Sequence, residues 1–408
     1  MILLVGATVR TLMESAVGSG FEVMGIDFFG DIDSCWQGKT ISLSRDCNLQ
    51  ATVTNLLKVA EIMGAQGLVY AAGPENHPDK LRYWEQRGEL LGNGTTVLQN
   101  VRNPWKMKKA LEDLQITGEI QAKMPEFYSI KDWRKADKEH SWLLKPLNRG
   151  GGHGIIKLPG GAANESLTSI LPDRDNYIIQ EYIEGIPVSA TFLANGREAV
   201  LLGSSRQLTS ISEKAWMKAN TYTYIGNIVP LNIQNISISI SYTKEVTSII
   251  QHLTTTFGLR GINTLDLIIN SKGTWILELN PRWSGSVELI EKHLGKNLFS
   301  HHLAACAGKS FDSTEFSTSL TPTAESSRNT KYWGKEIIYS SSSFQVMERA
   351  ELELRSLYHD GIRDIPMAGT EIQKGQPICT VIASGRTEQA CVQSLQAKSE
   401  WIRTIWGG

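Results

Sequence analysis

Short apolar runs separated by polar, glycine-rich breaks dominate the first 95 residues. MILLVGA (1–7), FEVMGIDFFGD (21–31) and GLVYAAGPEN (67–76) have the length and bounding residues of strands, and Val9 to Ser19 has the spacing of a helix. This alternation predicts a small parallel α/β unit. A helical, heavily basic pattern follows from Val97 to Gly118. Ser141 to Leu158, SWLLKPLNRGGGHGIIKL, then predicts two apolar strands joined by a glycine-rich loop, and NYIIQEYIEG (176–185) another strand that loses its apolar pattern at the end. The Asn195-Gly196 turn divides a further pair of strands. Ile240 to Leu259 and Val287 to Ala307 read as helices on either side of a hairpin. Ser313 to Arg328 is a Ser/Thr-rich linker or loop, and the last hundred residues hold short strands and a final helix near Glu388 to Ile402.

The hairpin is the centre of the candidate chemistry. In GINTLDLIINSKGTWILELNPRWSGS (261–286), a three-residue loop Ser271-Lys272-Gly273 would pair Asn270 with Thr274 and Asp266 with Glu278. The period of two places Asn280 on the same face. Two acids and an amide so close favour a cation between them, and Mg²⁺ combines a few carboxylate oxygens with substrate phosphates. The expectation is Mg²⁺, with Mn²⁺ as an alternative, carrying a nucleotide; the competing reading is a solvated polar face. The tail that follows supplies Arg282 and several hydroxyls, suited to gripping an anion.

The loop Asn148 to Gly154 has four glycines in five positions from Gly150. Without side chains to pack, it can lie over a ligand with backbone N–H groups aimed at phosphate, and Lys145 on the preceding strand can reach the same group. It is not a Walker loop, because no GxxxxGK[ST] occurs. The hinge Glu181-Tyr182-Ile183-Glu184 is suited to reading an adenine edge, with Glu184 near ribose; the plain alternative is a buried strand with a polar end. In the first unit, a strand, a glycine turn, a helix and an acid invite a dinucleotide reading. After Gly6, however, the sequence ATVRT lacks the further glycines, so this unit is read as one that packs on the catalytic part and lends it a loop. Glu75 and Asn76 lie where such folds place ligand contacts, or are ordinary loop polarity.

Length and composition narrow the picture further. With 408 residues, the chain suggests two or three domains, and 41 basic against 42 acidic residues give no electrostatic reason to expect nucleic acid or an acidic membrane. The 5 cysteines are scattered without CxxC spacing, which fits a reducing compartment. No apolar run approaches a bilayer span, so a soluble cytoplasmic protein is expected. A metal role for His293, His301 and His302 is not favoured.

Taken in order, these motifs resemble the ATP-grasp superfamily, and within it the ATP-dependent carboligases related to biotin carboxylase and carbamoyl phosphate synthetase. The resemblance implies an α/β and α+β fold: an N-terminal Rossmann-like α/β domain (1–95), an ATP-grasp nucleotide clamp (96–310) and a C-terminal β-rich domain (311–408). It further implies that Lys145 holds the α- and β-phosphates, that Arg149, Gly150, Gly151, Gly152, His153 and Gly154 close over the γ-phosphate, and that Glu181, Tyr182 and Ile183 line the adenine. Asp266, Glu278 and Asn280 would bind Mg²⁺, and Arg282 would face the carboxylate or acyl-phosphate. The family's first phosphate lysine is displaced here, leaving Lys106 as a shifted candidate, and the ribose acid after Gly185 is missing, leaving Glu184. Trp283 to Ser286 stand where biotin carboxylases carry their bicarbonate motif. The implied activity is a carboxylate–amine ligase whose partners are ATP, a carboxylate and an amine, with a homodimer as the candidate assembly. ATP-dependent carboxylation and a non-catalytic nucleotide-binding subunit are the alternatives.

Overall fold

The computed structural model of the chain describes residues 1–116, 118, 120–137, 139–158, 173–209, 222–232, 239–312, 314–317 and 331–405. In the first unit β1 (Ile2–Val5), β2 (Val23–Asp27), β3 (Thr40–Ser42) and β4 (Gly67–Tyr70) run parallel in the order β3-β2-β1-β4. Every residue of β2 and β4 is buried, as expected of a parallel sheet covered on both faces. Asp27, the acid at the end of β2, is buried, and its carboxylate accepts the Val9 N–H at 3.2 Å and the Gly30 N–H at 2.8 Å. It is committed to its own turn, as the missing glycines of a dinucleotide site suggest.

The second lobe comprises β5 (Phe127–Ser129), β6 (Trp142–Pro146), β7 (Ile156–Lys157) and β8 (Tyr177–Glu181), antiparallel in the order β5-β8-β6-β7. Trp142 and Leu144 of β6 pack with Ile130, Leu158 and Ile179. The alternation along a strand therefore turns Leu143 and Lys145 to the opposite face.

A long sheet carries the rest. It contains β9 (Ile186–Asn195), β10 (Ala199–Thr209), β11 (Tyr224–Val229), β12 (Arg260–Asn270), β13 (Gly273–Asn280) and β14 (Tyr332–Tyr339). After the short β15 (Phe344–Gln345) come β16 (Ile362–Arg363), β17 (Glu371–Ile372) and β18 (Pro377–Gly385); β15 pairs with β17 outside this sheet. The order is β13-β12-β9-β10-β11-β14-β18-β16. Strands from the C-terminal hundred residues thus extend the clamp's sheet, covering the edge that β11 would otherwise expose.

One face of this sheet is sealed by the helix Ser239–Phe257. Its Val246, Ile249, Ile250 and Leu253 share one side of the helix and pack on Ala190, Phe192, Leu265 and Leu267. The residues alternating with these, Ser189, Thr264 and Asp266, are left to the other face, which lines a cleft.

Two expected helices are each broken in two, for visible reasons. Val97 to Gly118 becomes Thr95–Val101 and Pro104–Ile116. Pro104 cannot continue a helix, and the Asn103 side chain caps the new one by accepting the Trp105 and Lys106 N–H groups at 3.0 and 3.2 Å. Val287 to Ala307 becomes Val287–Leu294 and Phe299–Cys306, interrupted at Gly295 with φ +67°. Of the linker read at Ser313 to Arg328, Thr314–Ser317 is helical and the remainder lies outside the described residues. Among the described residues no helix is long and apolar enough to cross a membrane.

Candidate active site

The hairpin pairs Asp266 with Glu278 and Thr264 with Asn280, as the spacing predicts for the acids, but by a different route. The turn is tighter than expected: Asn270 pairs with Gly273, whose φ of +124° closes it, and Ile269, not Asn270, faces Thr274. Left alone, that register would set Asp266 opposite Leu277. A β-bulge between Leu267 and Asp266 inserts Leu277 as an extra residue and restores the acid pair. Ile276 and Leu279 remain in the core, while Leu277, Glu278 and Asn280 all reach the cleft.

Around the pair the polar contacts are dense. The Asp266 carboxylate accepts from Ser189 Oγ at 2.7 Å, Gln207 Nε2 at 2.9 Å and Asn280 Nδ2 at 2.8 Å. Lys145 Nζ lies 2.9 Å from Glu278 Oε2. Burial and then the Glu278 charge push Asp266 up to about 7. Burial alone would also raise Glu278, but Lys145 and then Arg102 and Arg282 outweigh it and hold it at about 2. The pair thus shares one tightly held charge and one proton-competing charge, the electrostatics of an anionic site short of a countercharge.

Two carboxylates opposite one another suit a hard divalent cation completed by phosphate and water. Asn280 turns its amide N–H₂ to Asp266 and its oxygen to Arg282 Nη2 at 3.3 Å, so it would ligate only after a half-turn of the amide. Among the described residues no three His, Cys, Asp or Glu side chains converge on one point. Water and ligand oxygens would have to complete a coordination sphere there.

Arg282 is fixed by the first unit. Its Nε donates to Glu75 Oε1 at 2.7 Å, and Glu75, only 2 % exposed, also accepts the Gly73 N–H at 2.5 Å. The loop that β4 leads into thus aims the arginine and does not itself offer a free acid. Asn76 accepts from Arg102 Nη2 at 2.6 Å, and the same nitrogen reaches the Leu147 and Arg149 carbonyls at 3.0 Å each.

The glycine-rich loop roofs this wall. Arg149, Gly150, Gly151, Gly152 and His153 line the cleft, and Gly154 stands behind them. Gly151, Gly152 and Gly154 have φ of +63°, +73° and +81°. The Tyr224 N–H donates to the Gly151 carbonyl at 3.0 Å, and a Cβ on Gly152 would stand 1.9 Å from the Tyr222 carbonyl oxygen. Gly152→Ala is therefore expected to lift the loop off its seat and lower the activity of the site by about tenfold or more, with little change in thermal midpoint, since the loop adds little to the core. Steady-state kinetics beside a melting curve check this.

Glu181, Tyr182 and Ile183 line the cleft at its outer end, with Leu143, Ile155, Pro187 and Ile268 as apolar walls. Lys157 Nζ lies 4.2 Å above the Tyr182 ring. Two expected contacts are placed elsewhere. Glu184 is exposed and does not line the cleft; its carbonyl accepts from Asn270 Nδ2 at 2.7 Å, tying the hinge to the hairpin turn. Lys106, also exposed, donates to Asn100 Oδ1 at 2.7 Å on the helix that Pro104 starts, outside the cleft. Arg102, just before the break, is the basic group of this region whose charge acts on Glu278. Sequence reading missed it because the basic run drew attention to Trp105 to Lys109. Ser189 and Gln207 were signalled only by being polar in apolar strands.

A hairpin carrying an acid pair, a lobe contributing a lysine and a glycine loop between them thus enclose one cleft. The chain matches the ATP-grasp domain family model over residues 101–286. It is similar to an uncharacterized protein of Methanocaldococcus jannaschii, 24% identical over 309 residues, which is 74% of this chain and 65% of that protein's length. Among solved structures it is similar to L-amino acid ligase from Bacillus licheniformis, with a TM-score of 0.66, 16% identity and coverage of 98% of this chain and 97% of that one. It is also similar to the biotin carboxylase domain dimer of Hydrogenobacter thermophilus 2-oxoglutarate carboxylase in complex with MgADP, ADP and bicarbonate. There the TM-score is 0.66, the identity 13%, and coverage 97% of this chain and 88% of that one.

Proposed function

We propose that the protein is an ATP-dependent carboxylate–amine ligase. The reading is carried by the convergence of Lys145, Glu278, Asp266 and Arg282 on one wall of a cleft of about 660 Å³ that continues past them between the first unit and the C-terminal strands. In this reading Glu181 to Ile183 and the apolar walls hold the adenine, and Lys145 with the Arg149 to Gly154 loop holds the phosphates. Asp266 and Glu278, with Asn280 after a half-turn of its amide, would hold a divalent metal, which would supply charge neutralisation on those phosphates.

A substrate carboxylate oxygen attacks the γ-phosphorus in line and ADP leaves, giving an acyl-phosphate. Arg282, aimed by Glu75, steadies the carboxylate and the developing charge. The amine then attacks the acyl carbon and loses a proton, and phosphate departs, leaving an amide or peptide bond. Such chemistry needs positioning and charge neutralisation more than acid–base groups, and the seated loop keeps water from the acyl-phosphate. Bicarbonate fits less well: Glu288, which follows the Trp283 to Ser286 segment, is held by Arg10 through two hydrogen bonds of 2.9 and 3.0 Å.

The test is an ADP-release screen over paired carboxylates and amines, with and without bicarbonate. ADP release that needs both an acid and an amine is the expected result. Release driven by bicarbonate without an organic acid would select carboxylation, and MgATP binding without any turnover would select a non-catalytic subunit.

A further inference from the structure

Beyond Arg282 the cleft runs inward between the first unit and the C-terminal strands, past Thr8, Thr11, Phe29, Asp31, Lys335 and Asp364. This end is crowded with acids. Among the described residues Asp27, Asp31, Asp33, Glu288, Glu14 and Asp364 are met by fewer cations, chiefly Arg10, Lys335 and Arg363, with Lys292 also acting on Glu288. Nearly all of these charges are spoken for. Arg10 donates to Glu288, Glu14 and Asp364, the last at 2.7 Å. Asp33 accepts the Asp364 and Ile365 N–H groups at 2.8 and 3.0 Å, and Lys335 Nζ lies 3.5 Å from Glu288.

Asp31 is the exception. It is 7 % exposed and lines the cleft, yet no hydrogen-bond donor of the described residues reaches its carboxylate. Its backbone carbonyl serves Ser34 and Cys35, and its side chain does not cap the helix Ile32–Gln37 that it precedes. Its oxygens open on the cleft, and a carboxylate held in so enclosed a place without a donor is costly until a cationic ligand brings one. Beside it, Asp364 has φ +54° and a carboxylate that is still partly accessible from the cleft. Burial first, and then Asp364, Asp27 and Asp33, push the Asp31 carboxyl well above its ordinary range, against the opposing charge of Arg10. A cation entering here would therefore meet an environment of net negative charge with one acceptor wholly free.

We propose that Asp31, supported by Asp364, is the recognition site for a protonated amine carried by the substrate that occupies the inner half of the cleft. Naming that occupant as a ligase substrate rests on the reading of the outer half; the site itself does not. It binds an ammonium group through charge-assisted hydrogen bonds to Asp31, and neutral isosteres lack both the charge and the donors.

The test uses the full chain saturated with MgADP, titrated calorimetrically with 1,4-diaminobutane and ethanolamine and, in parallel, with 1,4-butanediol and ethylene glycol. The amines are expected to bind roughly tenfold or more tightly than the diols, and Asp31→Asn to remove that preference while MgADP affinity stays unchanged. Burial opposes ionisation of Asp31, and asparagine removes that cost, so Asp31→Asn should also raise the thermal midpoint. Equal binding of amines and diols, an amine preference that survives Asp31→Asn, or a lowered midpoint with intact MgADP binding overturns the proposal. Asp31→Ser serves the same comparison if the asparagine variant does not fold. The two readings separate cleanly: an acid-plus-amine screen with no turnover but a lost amine preference in Asp31→Asn defeats only the ligase. An active ligase in which the KM of neither substrate moves in that variant defeats only this site.

Discussion

Glu278→Gln is expected to lower ADP release by about three orders of magnitude or more while the protein stays folded. Glutamine preserves the volume and the strand pairing with Asp266, so the hairpin keeps its register. It removes the charge that meets Lys145 at 2.9 Å and takes one carboxylate from the candidate metal set. With the neighbouring charge gone, one cause of the raised Asp266 carboxyl also disappears, leaving burial as the main one. Turnover should therefore fall much further than nucleotide affinity, since the proposed adenine and phosphate contacts remain. Parallel measurement of kcat, MgATP affinity and far-UV circular dichroism separates these effects, and a variant within about tenfold of wild-type turnover would remove Glu278 from the mechanism.

Arg10→Met should produce the largest loss of stability. Arg10 is buried at the junction of the three parts of the chain, bonded through both terminal nitrogens to Glu288 on the helix Val287–Leu294 and through Nε to Asp364 after β16. Burial would raise the Glu288 carboxyl, but Arg10 and Lys335 hold it far below the ordinary carboxylate range. Methionine fills the space of the stem and leaves those carboxylates buried beside each other. Removing one partner of such a network costs about 3–5 kcal/mol, which a shifted urea unfolding midpoint will report. The first unit should then also hold Glu75 less firmly against Arg282, raising KM for the carboxylate of the proposed reaction. A midpoint within experimental error of wild type would show that apolar packing alone joins the three parts.

Local chemistry made the hairpin legible. Period-two alternation and one turn suffice to put Asp266, Glu278 and Asn280 on one face, and Lys145 follows from the same alternation in a strand whose other residues are apolar. Even so, the acid pair is aligned by Leu277 as a bulge, a compensation that a short apolar strand gives no sign of. Lys106, a candidate by resemblance alone, lies outside the cleft because Pro104 starts a new helix there, with Asn103 as its cap. The pairing of β11 with β14 joins segments over a hundred residues apart, and no pattern in either strand names its partner. The contacts that Ser189 and Gln207 make with Asp266 depend on that same long-range assembly, as does the meeting of Asp31 with Asp364.

The central claim is that the acid pair of the hairpin and the lysine of the facing lobe grip a metal-bound nucleotide. Crystals grown with Mn²⁺ and a non-hydrolysable ATP analogue test it most directly, through the anomalous signal of the metal. The account predicts a manganese peak about 2.1 Å from carboxylate oxygens of Asp266 and Glu278, with the triphosphate running from it to Lys145. A nucleotide bound elsewhere, or a metal that leaves both carboxylates untouched, would contradict it.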